Sequence, residues 1–194
     1  MNTMTHLYIS KSVQKVIESK MNIKLNSIGF LYGNIKPDIS SSYIKIPHYK
    51  EDSINFLKRE IKEMISYRFT RLPKCTKQFS ERLGVITHYL SDYFCHAHSK
   101  QFSGNMVEHY FYESKLSQFY KANSGNINSF NDLETTDIAE DYEAVCNCIE
   151  DLHSKYLKSG ISFESDILFA LNICVTVCLF IVSSCMNQKA DTAA

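Results

Sequence analysis

Two segments, THYLSD and EHYFYE, each place a histidine four residues ahead of a carboxylate: His88 before Asp92, and His109 before Glu113. That spacing brings both side chains onto one face of a helix, a single turn apart. Apolar residues elsewhere recur at helical intervals too. Leu7, Val13, Val16 and Ile17 share a face across 5–20, with Thr5 as the expected cap, and Ile54, Leu57, Ile61, Met64 and Ile65 do so across 51–69. Pro73 ends that second helix, and the pattern predicts four more, over 76–100, 104–122, 133–157 and 163–186, the last two broken apart at Gly160. Residues 21–50, with Gly29, Gly33, Pro37, Pro47 and three consecutive serines, read as loop with a short extended piece at 43–46. The Asn- and Ser-rich stretch 123–131 reads as surface loop. With no convincing β-alternation, the expected fold is all-α, a single-domain helical bundle over 1–194.

With 44% hydrophobic residues the chain can build a sizeable core, and 21 basic against 21 acidic residues give no electrostatic reason for general nucleic-acid binding. The seven cysteines are an odd number without a CxxC pair, so they read as reduced thiols, and Cys174, Cys178 and Cys185 read as small hydrophobes. The first twenty residues hold no apolar stretch of signal-peptide length, so a cytoplasmic location is expected. Residues 167–186 are uncharged and long enough for a membrane span. Asn172, Thr176 and Ser183 on one stripe favour a core helix over a membrane anchor.

An imidazole and a carboxylate one turn apart can hold a metal ion, and two such pairs on consecutive helices can face each other across a bundle. One isolated pair is more often a surface interaction; two pairs with further histidines between and upstream argue for metal. His96 and His98 both follow Asp92, at four and six residues, and spacing does not decide which is a ligand. Nitrogen and oxygen donors without cysteine suit zinc, with manganese or iron as alternatives.

In order and spacing these residues resemble the bacterial zinc-dependent phospholipases C. The matching features are THLYIS at the start of the first helix, Asp38 in GNIKPDI, His48 in KIPHYKED, the HYLSD helix, His98 six residues after its Asp92, and HYFYE. The resemblance covers about 5–113. It implies the all-helical fold shared with zinc nucleases of the P1/S1 type, and three zinc positions. Asp38, His48, His88 and Asp92 would hold the first, His98, His109 and Glu113 the second, and His6 with a bridging Asp92 the third. The family completes the third with the α-amino group and carbonyl of an N-terminal tryptophan. This chain has no tryptophan, so two zinc ions are expected, with the third position weak, absent or completed by the chain's own N-terminus.

The activity implied is hydrolysis of a phospholipid to diacylglycerol and a phosphorylated head group, with Asp38 as general base and transient membrane contact. A P1/S1-type nuclease is a second reading, against which stand Glu113, where those nucleases use Asp, and the neutral charge. A non-catalytic metal-binding module is a third. Tyr49, Tyr89, Tyr93, Phe94, Tyr110 and Phe111 crowd the candidate ligands and read first as core, second as a pocket lining. His96 is expected to support the ligands from behind. His153 and the Glu60, Lys62, Glu63 cluster read as solvated.

Overall fold

The computed structural model describes residues 1–67, 74–127 and 139–187. Among these the protein is all-α, and the one β feature is an isolated bridge between Lys24 and Lys74. Eight α-helices are described: α1 Thr3–Met21, α2 Ser27–Gly33, α3 Lys36–Ile39, α4 Lys50–Ile65, α5 Lys77–Tyr93, α6 Met106–Ile127, α7 Tyr142–Lys158 and α8 Phe163–Asn187. A 3₁₀ turn, His96–His98, stands between α5 and α6.

Local chemistry explains most of the boundaries. The α1 cap is Asn2, whose Oδ1 accepts from the Thr5 backbone at 3.0 Å; Thr5, the expected cap, is a buried residue of the first turn. Thr76 caps α5 through the Phe79 N–H at 3.1 Å, and Asp141 caps α7 through the Ala144 N–H at 2.8 Å. Asn105 and Glu108 cap α6 reciprocally, at 2.9 Å from Val107 N to Asn105 Oδ1 and 2.7 Å from Asn105 N to Glu108 Oε2. Gly160 turns the chain between α7 and α8 with φ +86°, a backbone conformation that favours glycine.

Several expected boundaries move. Residues 21–50 contain α2 and α3, and 43–46 is a turn (Ile46 N to Tyr43 O, 2.8 Å), not an extended piece. The third helix stops at Tyr93 rather than 100, because the Phe94 and Cys95 amides turn back onto Ser91 and Asp92. The fourth runs on through part of the expected loop to Ile127. Pro73, the rest of the expected loop at 128–131 and the expected helix start at 133–138 lie outside the described residues; the described helix there begins at Tyr142.

Helix α8 is the apolar run of the sequence. It packs against α1, α4, α5, α6 and α7, and 72% of its most apolar stretch is buried within the protein. Ile173, Cys174, Val177, Cys178 and Ile181 are fully buried, which places the cysteines there as small core groups. Helix α5 is buried from Leu83 to Tyr93 on every side, between α8 and α4 and beneath α2. Its approach to α2 is backbone on backbone. A Cβ on Gly33 would lie 2.0 Å from the Glu81 carbonyl, and one on Gly84 2.4 Å from the Phe30 carbonyl. This contact sets the distance between the loop after α2 and the His88 turn of α5. His153, expected in solvent, is 8% exposed and its ring lies against Phe94 and Tyr156. The face of α7 that carries it also carries Val145 and Ile149, so the helix is amphipathic rather than wholly polar. Glu60 and Glu63, also read as solvated, both accept from Arg82, at 2.9 and 2.7 Å.

Candidate metal centre

Eight side chains, seven from five elements and one from a connecting segment, converge at one end of α5. His6 comes from α1, Asp38 from α3, His88 and Asp92 from α5, His98 from the 3₁₀ turn, His109 and Glu113 from α6; His48 comes from the segment just before α4. Four overlapping groups of these have ligand atoms close enough to share an ion: His6–His88–Asp92, Asp38–His48–His88, His48–Asp92–His98 and His98–His109–Glu113.

Asp92 is the hub, and it is fully buried. Its Oδ2 is 3.0 Å from His48 Nδ1 and 3.3 Å from His88 Nε2. Its Oδ1 is 3.3 Å from His6 Nε2, 3.7 Å from His98 Nε2, and bonded to the α-amino nitrogen of Met1. One carboxylate thus faces two separate donor sets with its two oxygens. Asp38 Oδ1 adds to the first set, 3.6 Å from His88 Nε2 and 3.7 Å from His48 Nδ1. A further set forms around Glu113 Oε1, with His98 Nε2 at 2.9 Å and His109 Nε2 at 3.0 Å.

The outer nitrogens of the buried histidines are already committed. His88 Nδ1 donates to the Asn34 carbonyl at 2.8 Å, which leaves Nε2 as a lone pair aimed at Asp92. The Ser91 hydroxyl spends its hydrogen on the His88 carbonyl at 2.8 Å, so its oxygen accepts from His6 Nδ1 at 3.0 Å. His6 Nε2 is then buried without a hydrogen-bond partner, facing a carboxylate oxygen. Two lone pairs opposed in a dry interior are unfavourable unless a cation lies between them. This orphaned nitrogen, and the absence of any thiol from the donor set, fit the residues present to zinc.

Charge follows the same logic. Burial, with the neighbouring His6 and His48, holds the His88 imidazole well below the usual range and therefore neutral, the form a metal ligand needs. Burial opposes ionisation of Asp92, but His98, the Met1 amine and His6 outweigh it and keep the carboxylate charged. Burial likewise opposes Glu113, yet the hydrogen bond from His98 and the Met1 amine carry its pKa down to about 2. Asp38 differs: burial raises it above the usual carboxylate range and Asp92 adds to the rise, against the opposing pull of His6 and His48.

The centre opens on one side. His6, His88 and Asp92 are sealed, whereas the Asp38 and His48 side chains keep 27% and 23% of their surface. Of the flanking aromatics, Tyr89, Tyr93 and Phe94 are core, while Tyr49, Tyr110 and Phe111 are exposed.

The spacing left His96 and His98 open, and the turn after Tyr93 separates them. His98 points into the centre; the His96 ring lies against Phe102 and Tyr112, with Ser99 Oγ 3.4 Å away, and supports no ligand directly. What His96 contributes is its backbone N–H, 3.0 Å from Asp166 Oδ2. Asp166, which sequence reasoning missed, is fully buried and also accepts from Tyr112 at 2.9 Å and Tyr156 at 2.7 Å. It ties together the turn bearing His98, the helix turn bearing Glu113, and α7. Its signal was its place as one of two acids in the first turn of an otherwise uncharged apolar helix. The Asn34 carbonyl and Ser91 carried no such signal.

A family model described as zinc dependent phospholipase C matches residues 5–163, well past the motifs that end at Glu113. No curated protein and no solved structure matches the chain.

Proposed function

The chain belongs to the zinc-dependent phospholipase C family, and on that premise we propose that its centre hydrolyses the phosphodiester of a phospholipid, releasing diacylglycerol and a phosphorylated head group. The observation that carries this reading is the placement of Asp92, with one oxygen toward His48 and His88 and the other toward His6 and His98. A bridging carboxylate between nitrogen donors is what closely spaced divalent cations require. In this reading Asp38, His48, His88 and Asp92 hold one zinc, and His98, His109 and Glu113 a second. His6, Asp92 and the Met1 amino nitrogen form the donor set for a third. Bound zinc supplies Lewis acidity toward phosphoryl oxygens and toward water.

The chain's own residues do the rest. Asp38 stands at the open side, and burial raises its pKa, so its carboxylate is a competent base for the proton of the attacking water. His88 and His6, sealed and locked by Asn34 and Ser91, are rigid and need no reorganisation when charge develops on the phosphate. Substrate enters past Asp38 and His48, because Asp92 and His6 behind them are fully buried.

Zinc-loaded protein offered p-nitrophenyl phosphorylcholine, phosphatidylcholine vesicles and single-stranded DNA tests the reading. Turnover of the two choline esters is expected, with a fall of about 10²-fold or more in Asp38→Asn. Turnover of DNA alone would make it a nuclease. Turnover of none, with zinc still bound, would make it a binding module.

A further inference from the structure

Helix α8 opens on two acids with different surroundings. Glu164 faces water, whereas Asp166 is fully buried. An acid in the first turn of a helix ordinarily caps its amides or complements its dipole. Capping here falls to Ser162, whose Oγ accepts from Ser165 N at 3.0 Å. The three hydrogen bonds that the Asp166 carboxylate accepts come from other elements instead. Oδ2 takes the His96 backbone N–H at 3.0 Å and the Tyr112 hydroxyl at 2.9 Å, and Oδ1 takes the Tyr156 hydroxyl at 2.7 Å.

The two donors that share Oδ2 lead directly to metal-site side chains. His96 opens the 3₁₀ turn, and two residues later His98 presents Nε2 at 2.9 Å from Glu113 Oε1. Tyr112 immediately precedes Glu113 in α6. One oxygen therefore holds, from behind, both segments that supply the His98–Glu113 pair. The third donor, Tyr156, belongs to α7, which carries no residue of the centre. The Asp38–His48–His88–Asp92 set is anchored separately, for His88 through the Asn34 carbonyl at 2.8 Å.

We propose that Asp166 is a positioning residue for one metal position, fixing the geometry of the His98–His109–Glu113 donor set and leaving the other sets to their own anchors. This rests on reading those residues as zinc ligands and is independent of the reaction they serve. A functional donor set must be held within roughly 0.5 Å of its working geometry by the groups behind it. A carboxylate suits the task because it only accepts, with lone pairs enough for three donors at once. An asparagine there would turn an N–H toward one of them and leave that donor unmet. Burying a carboxylate on neutral donors costs more than an apolar joint would, so position rather than stability is what Asp166 supplies.

Zinc titration of the unaltered, Asp166→Asn, Tyr112→Phe and Tyr156→Phe proteins, in competition with a chromophoric chelator, tests the assignment. His109→Ala marks the binding step that belongs to this set. Asp166→Asn is expected to weaken the marked step by about 10–100-fold. The remaining steps should stay within about twofold of the unaltered protein. The tyrosine variants separate positioning from support of the fold. Each keeps its ring and removes one hydroxyl bond to the same carboxylate, but only α6 carries ligands, so Tyr112→Phe should weaken the marked step and Tyr156→Phe should not. The proposal is overturned by a marked step that is unchanged in folded Asp166→Asn, by a loss spread equally over every step, or by equal effects of the two tyrosine variants. If Asp166→Asn does not fold, the tyrosine pair decides. An unaltered protein that binds no zinc overturns both this role and the proposed hydrolysis. One that binds zinc without turning over a phosphodiester overturns the hydrolysis alone, and the zinc steps still decide the role of Asp166.

Discussion

His6 Nε2 and Asp92 Oδ1 face each other across 3.3 Å, both fully buried, and no hydrogen bond joins them. The Ser91 hydroxyl enforces this arrangement by accepting from Nδ1, on the far side of the His6 ring. Ser91→Ala should free the ring to take the other tautomer and donate to Asp92. The expected result is 10–100-fold weaker zinc binding at that position, read by competition with a chromophoric chelator. Unchanged affinity would show that Ser91 does not set the tautomer.

His98 and His96 lie two residues apart and make opposite demands on the centre. His98→Ala removes a nitrogen 2.9 Å from Glu113 and is expected to lower bound zinc after dialysis against a weak chelator. His96→Ala keeps the backbone N–H that bonds Asp166 and is expected to retain its zinc. Metal analysis of the two purified variants distinguishes them, and equal loss would reassign His96.

Removal of metal should destabilise the bundle, because the centre joins side chains of α1, α3, α5, the 3₁₀ turn and α6. A ligand held by the folded state alone contributes about 2.7 kcal/mol at a hundredfold excess over its dissociation constant. Melting with and without a strong chelator should therefore differ by several degrees. An identical melting temperature would mean that the fold holds no zinc.

Gly84 lets α2 lie directly on α5. Gly84→Ala puts a methyl 2.4 Å from the Phe30 carbonyl, with backbone on both sides and no flexible neighbour to yield. A loss of about 1–3 kcal/mol or more is expected from denaturant unfolding, with weakened zinc binding as the Asn34 carbonyl moves off His88. Gly125→Ala, in α6 with nothing near, should instead stabilise by roughly 0.5–1 kcal/mol.

Burial raises the Asp166 carboxyl from 3.8 to about 6, against the hydrogen bonds it receives. The folded protein therefore binds this proton more tightly than the unfolded chain does. The resulting stability is present below about pH 4 and is lost as pH rises to about 6. The loss amounts to roughly 3 kcal/mol. Asp166→Asn lacks that titration. Its stability relative to the unaltered protein should improve by about that much between pH 4 and pH 6, as measured by urea unfolding at each pH. A constant difference across the range would place the Asp166 pKa elsewhere.

The helices and the metal-binding character were legible in the chain because both rest on local spacing. Apolar residues three and four apart make a helix face, and a histidine four residues from a carboxylate makes a two-donor unit wherever that helix sits. His88–Asp92 and His109–Glu113 needed no neighbours to be noticed. The resemblance in motif order then drew in His6, Asp38, His48 and His98, and the structure brings all of them to one end of α5. Tertiary structure decided the matters that depend on chain direction or on backbone atoms. The turn after Tyr93 chose His98 over His96, a bare glycine contact put the Asn34 carbonyl on His88, and Asp166 reached across from another helix to hold the turn. A backbone carbonyl has the same identity at every residue, so no pattern of side chains can announce which one will be used. Its role exists only once packing has fixed where it points.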